Sequence, residues 1–449
     1  MSATMTVTQA SQVRLTPEHL GLGRVGNSPA GSLDIANKYL QKNHDENHVF
    51  WRDLNGHNHM AHSLLTHLAL GASPSEMTRA YGDNPDQRGQ PELNPETVKE
   101  LSDNNKFYGM IGQMKQYTNF LVFFEQQIEE KGWKAVINEY CFSRTKLADV
   151  MLAGLFEGAY HPIIHLGLGV EFEQSSIIAE GLAQSATHSS MGIDKFFINA
   201  ENEALEAGAK PSKPLVELFH EARANDTIHH AAHFTDFAHK VRDGVLKRAA
   251  PEITTLASQF RVEPEAAERG AAETINCCAY IAGATQRPGK ASKIDFFHMH
   301  AVTSSMFMTV FLNQPWISIE NKIRMVEWKG RLDLVWYSAS AAAELRIEDV
   351  ENYEAGKSAG MDWAALYKAI NTTHDDGHLA KFVRALKNGE DISKPFEHGE
   401  GADSFPIKGE MWLKLAQMSF DSTVDVPTVG KWLWGTGFDQ AWAQVPSKE

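Results

Sequence analysis

Cysteine is scarce in this chain: three residues in 449, Cys141, Cys277 and Cys278. Two are adjacent and one stands alone, which excludes a disulfide framework and a CxxC zinc signature and suits a reducing compartment. Long apolar runs are missing too. No window approaches the ~18 uninterrupted apolar residues of a membrane span. The opening MSATMTVTQASQ has neither the basic start nor the apolar stretch of a secretory signal, so a soluble, cytoplasmic protein is expected. Basic residues are outnumbered, 42 against 57 acidic, for a net charge of −15. That balance speaks against nucleic acid or an anionic membrane as partner. Alternating strand patterns are few, and no repeat or low-complexity tract is visible.

What is present reads as helix. Ser73-Pro74-Ser75-Glu76 is a capping box with proline at the first helical position. Lys115 to Glu130 carries an apolar face of Phe120, Leu121, Phe124 and Ile128. Arg144 to Tyr160 has helical spacing and should stop near His161, because Pro162 disfavours α at the residue before it. Pro162 then opens another helix. Further helices are predicted at 214–224, 234–249, 264–284, 296–312, 316–346, 361–370 and 376–388, the last capped by Asp375/Asp376 and stopped by Asn388-Gly389. Length alone allows two or three domains. The polar stretches 83–95 and 388–410 do not read as linkers, however. The expectation is a mainly α protein: an irregular segment over 1–40, one large helical domain over 41–435 and a tail over 436–449.

Twenty histidines are the chain's most distinctive content. Five clusters stand out: His57/His59/His62, His161/His165, His229/His230/His233, His298/His300 and His374/His378. Neutral imidazole is the commonest protein ligand for a transition metal and is costly to bury unpartnered. His59 and His62 are three apart, as are His378 and Lys381, and His161 and His165 are four apart, so each pair shares a helix face. A single histidine on an apolar face is more often a hydrogen-bonded core residue than a ligand. Number and apolar neighbours favour a site for most of these clusters. His229, His230 and His233, and likewise His44 and His48, have polar neighbours and read as solvated surface or helix starts. His57 reads as loop.

Other catalytic signatures fail. There is no HExxH, and Glu217-x-x-His220 is the single Glu-x-x-His where a di-iron bundle needs two. Gly21-x-Gly23-x-x-Gly26 follows no strand and precedes no helix, so no flavin or nicotinamide site is expected. No GxSxG elbow occurs. Tyr117, Phe120, Phe124 and Trp133 read either as a stacking wall or, more commonly for such a face, as plain core.

His59-Met60-Ala61-His62-Ser63-Leu64-Leu65, His161-Pro162-Ile163-Ile164-His165-Leu166-Gly167-Leu168-Gly169-Val170-Glu171-Phe172, Asp295-Phe296-Phe297-His298-Met299-His300 with Thr303, and Asp375-Asp376-Gly377-His378-Leu379-Ala380-Lys381 resemble blocks of the questin oxidase-like family over about residues 40 to 435. The resemblance implies a fungal enzyme that oxidatively opens anthraquinone-type aromatic polyketides with O2. It also implies Fe(II) held by four histidines and a carboxylated lysine. Carried onto this chain, the ligands are His62, His165, His300, His378 and Lys381, with His59 and His161 as competing choices. His161 or Glu171 is the expected base, and His59, His298 and Thr303 are expected to face substrate. An ammonium cannot ligate a cation, but a buried lysine shifts to the amine, which can take up CO2 as a carbamate. Two alternatives are a cofactor-independent Baeyer–Villiger-like oxygenase or cyclase using the histidines as bases, and a non-catalytic helical binding protein.

Overall fold

A computed structural model describes residues 8–53, 56–85, 87–208 and 211–448. Among them the chain is mainly α, with a single two-stranded antiparallel hairpin. No helix there is long and apolar enough to cross a membrane. The chain forms two compact units: Met1–Ser190 with Asn313–Ile317 and His374–Lys381, and Met191–Leu312 with Ser318–Thr373 and Phe382–Glu449.

The first unit contains α1 (Ser32–Glu46), β1 (Phe50–Arg52), β2 (Gly56–His57), α2 (Met60–Ala69), α3 (Pro74–Gly82), α4 (Tyr117–Lys131), α5 (Lys146–Leu155), α6 (Glu157–Glu171) and α7 (Ser175–Thr187). The expected capping box opens α3, with Ser73 and Glu76 satisfying each other's backbone N–H. Phe120 and Phe124 are fully buried and meet Phe107, Phe123 and Tyr140 edge-on, with Phe107 and Phe120 centroids 4.9 Å apart. That face is therefore core and not a stacking wall. Trp133 packs edge-on against Trp316.

Helix α7 packs between α6 and α4. Its contact with α6 is close because Gly181 has no side chain: a Cβ there would lie 2.7 Å from the Leu166 nitrogen. The break before Pro162 comes a turn earlier than predicted. Gly158, Ala159 and Tyr160 have φ of 56°, 52° and 67°, and regular helix resumes at His161. Pro162 then occupies the first turn, where its missing N–H is harmless.

In the second unit, α8 (Ala267–Ala284), α9 (Phe296–Leu312) and α10 (Ile319–Ala339) pack together. Helix α11 (His378–Ser393) gives its first four residues to the first unit and the rest to the second. The predicted helix over 234–249 is broken into a 3-10 segment, a wide π segment and one short turn. The Lys240 ammonium folds back to donate to the Phe237 carbonyl at 2.8 Å, and Asp236 accepts from the His233 N–H, so side chains satisfy backbone groups that a helix would use. Helix α11 also runs past the predicted stop at Asn388-Gly389. Gly389 lies directly under the Trp412 ring, so the glycine serves packing and not termination.

Gly181→Ala should destabilise the protein by about 1–3 kcal/mol, the usual range for overpacking. Gly109→Ala, where a Cβ meets open space, should stay within about 1 kcal/mol of the parent. Urea unfolding of both variants measures the difference.

Candidate active site

Seven buried or half-buried imidazoles gather in the first unit. His57 comes from β2, His59 and His62 from the start of α2, His161 and His165 from α6, His188 from just after α7, and His378 from the start of α11. The helical spacings deliver them as pairs. His59 and His161 face each other through their Nε2 atoms at 2.9 Å, and His57 and His188 do the same at 3.0 Å. The His57 ring stacks on His161 with centroids 3.8 Å apart, His59 meets His378 edge-on at 4.5 Å, and His62 lies 5.1 Å from His165. Ligand atoms of His59, His161 and His378 all lie within 4.8 Å of one another.

The outer nitrogens decide what the inner ones do. His161 Nδ1 donates to the Gly158 carbonyl at 2.6 Å, and His378 Nδ1 donates to the Asp376 carboxylate at 2.7 Å. With Nδ1–H turned outward, Nε2 is the nitrogen left to offer a lone pair, the arrangement metal-binding histidines use. Burial, reinforced by neighbouring cationic groups, pushes His57 well below the usual imidazole range, and burial holds His188 near 4, so both are neutral at pH 7. Two nitrogens about 2.1 Å from one cation in adjacent octahedral positions stand roughly 3 Å apart, which matches the His59–His161 separation.

Lys381 lies one turn beyond His378 and is buried. Its Nζ has no hydrogen-bond partner among the described residues. Burial pulls its pKa down to about 8, against the opposing pull of Asp376 and Asp375.

Of the remaining expected residues, Glu171 stands apart from these histidines. Glu171 is at the opposite end of α6, about 15 Å along the axis from His161, and accepts from the Leu22 N–H at 2.5 Å. His298, His300 and Thr303 are buried on α9 in the second unit. His300 Nδ1 donates to the Phe296 carbonyl, and the Thr303 hydroxyl donates to the Met299 carbonyl.

Two expectations need correcting. His44 and His48 are 2% and 1% exposed and are not solvated. Their polar neighbours mislead because they partner one another internally: Asn43 accepts from both Asn47 and Asn58. His48 stacks on Tyr117, and burial lowers its pKa to about 4. His44 lies between two buried carboxylates, 2.7 Å from Glu180 and 2.8 Å from Glu125. Glu180 in turn accepts from His165 Nε2 at 2.6 Å. His188, Glu125 and Glu180 escaped sequence reasoning altogether. A lone carboxylate in the apolar run Ile177-Ile178-Ala179-Glu180-Gly181-Leu182 was a usable signal; His188, beside two serines, offered none.

Residues 56–386 match the family described as Questin oxidase-like. The chain belongs to that family. Relatives in the questin oxidase-like family are alike from end to end. A Baeyer-Villiger oxidase of Pestalotiopsis fici is 58% identical over 444 residues, covering 99% of this chain and all of the relative. Questin oxidases of Aspergillus terreus and Aspergillus fumigatus are 53% and 51% identical, each covering 98% of this chain and 99% of the relative. The chain is thus an enzyme of the oxidoreductase class, which sets aside the binding-protein alternative.

Burial depresses the His44 pKa, but its hydrogen bonds to Glu125 and Glu180 outweigh it and raise the pKa to about 10. Burial raises Glu180, yet its bonds to His165 and His44 win and bring it to about 2. His44 thus contributes stability that is complete below pH ~6.5 and is lost as pH rises towards 10. Glu180 contributes stability present above pH ~4.5 and lost as pH falls towards 2. His44→Gln should cost about 3–5 kcal/mol near pH 7 by leaving buried carboxylates uncompensated. It should also flatten the alkaline fall in stability between pH 7 and 10, which thermal unfolding across that range would show.

Proposed function

We propose that this enzyme is a non-haem iron oxygenase that uses O2 to cleave a ring C–C bond of an anthraquinone-type aromatic polyketide. The observation that carries the reading is the convergence of His59, His161 and His378, with the buried Lys381 one turn beyond His378 and its Nζ without a hydrogen-bond partner among the described residues. The names of its relatives, questin oxidase and Baeyer-Villiger oxidase, support the reaction class. The residues fit the ion. Neutral imidazoles suit iron, copper or zinc, and a carbamate on Lys381 would add one anionic oxygen. His59, His161, His378 and carboxylated Lys381 are the proposed holders, with His62 and His165 as the further candidate ligands beside them. The iron supplies redox activation of O2 when bound.

The protein's own part is orientation and proton control. Gly158 and Asp376 fix the rings of His161 and His378, so those imidazoles need not reorganise during turnover. Three unpaired, buried cysteines suit a reducing, cytoplasmic setting. A second reading keeps the substrate class but drops the metal. In it the 2.9 Å His59–His161 contact is a shared proton, and the pair acts as the base that generates a substrate carbanion.

Elemental analysis of anaerobically purified enzyme should find about one iron per chain, with oxygen uptake on a panel of hydroxyanthraquinones. Full activity with far less than one equivalent of any transition metal rules out the iron reading and favours the metal-free one. Lys381→Ala should lose both metal and activity, with partial return on adding a short carboxylate such as acetate. A Lys381→Ala enzyme that keeps its metal and rate removes the carbamate.

A further inference from the structure

We propose that Glu180 is a positioning residue that holds His165 in the Nε2–H tautomer, so that the Nδ1 lone pair of His165 is aimed at the histidine cluster. The inference rests on the metal reading above and extends it to a carboxylate outside the proposed ligand set. Close packing of α7 on α6 at Gly181 brings the neighbouring Glu180 within 2.6 Å of His165 Nε2 through Oε2. The other oxygen, Oε1, is 2.7 Å from His44 Nδ1, and His44 Nε2 is 2.8 Å from Glu125. Both oxygens are engaged, so the carboxylate cannot rotate away from His165.

Charge counting gives the arrangement its purpose. An ionised carboxylate only accepts hydrogen bonds, so a histidine bonded to a carboxylate through each nitrogen carries both protons and is an imidazolium. Glu125, His44 and Glu180 then total one net negative charge, on side chains no more than 4% exposed. Buried charge left uncompensated is expensive. A proton on His165 Nδ1 would cancel it, but Nδ1 has no acceptor among the described residues, so a buried N–H would be left unsatisfied. A cation bound on the Nδ1 side removes both costs. The excess charge behind Nε2–H also makes Nδ1 a stronger donor, as outer carboxylates do for metal-bound imidazoles.

The test uses full-length, metal-free protein with 15N-labelled histidine. His165 is assigned by its loss in His165→Gln, and the tautomer is read from the ring nitrogen shifts. The expected result is Nε2–H in the parent and loss of that preference in Glu180→Gln, whose amide can no longer accept from both imidazoles. Cobalt(II) affinity, measured by chelator competition, should fall roughly 10–100-fold in Glu180→Gln. Glu125→Gln, one hydrogen bond further out, should show a smaller loss in the same direction, which keeps the idea testable if Glu180→Gln does not fold. An Nδ1–H tautomer in the parent, or cobalt affinity within twofold of the parent in either variant that folds, overturns the proposal. A parent with the expected tautomer that binds no metal defeats the iron reading and leaves the positioning role standing.

Discussion

An imidazole can offer a lone pair only from the nitrogen that its other partner leaves unprotonated, and the site depends on that rule. Gly158 and Asp376 each accept a hydrogen bond from the outer Nδ1–H of a ring, and the inner nitrogens of His161 and His378 are left to offer lone pairs. Remove the outer partners and the same histidines become rotating, tautomerically mixed side chains. The fold serves this end in simple ways. Short elements from distant parts of the sequence meet at their termini, and backbone carbonyls and capping carboxylates are most available there.

Much of this was legible in the chain. Paired histidines at spacings of three and four residues, set in apolar helices, marked His59, His62, His161, His165 and His378 as one chemical family. The three-residue step from His378 marked Lys381. The sequence did not show which member of each pair turns inward. The left-handed turn at Gly158–Tyr160 sets where His161 stands, and nothing in the local sequence announces that turn. The misreading of His44 has a related cause. Its polar neighbours suggest solvent, whereas its partners, Glu125 and Glu180, lie 81 and 136 residues away. Local composition does not report contacts of that range.

The helix boundaries that departed from expectation did so for reasons of packing. Asn388-Gly389 is a legitimate stop signal in isolation, but an indole ring takes up the space above the glycine and the helix continues. Over 234–249, side chains of Asp236 and Lys240 compete successfully with the helical ladder. In both places tertiary partners decide between conformations that the local sequence leaves nearly equal in energy.

Gly158 sets a limit on how this enzyme can diverge. Imidazole nitrogens of both His57 and His188 occupy the space a side chain would need, and a Cβ there would stand 2.7 Å from His57 and closer still to His188. No single substitution at that position is accommodated without evicting a histidine, whereas solvent-facing glycines such as Gly109 are free to drift. A lineage could escape only by changing several residues together.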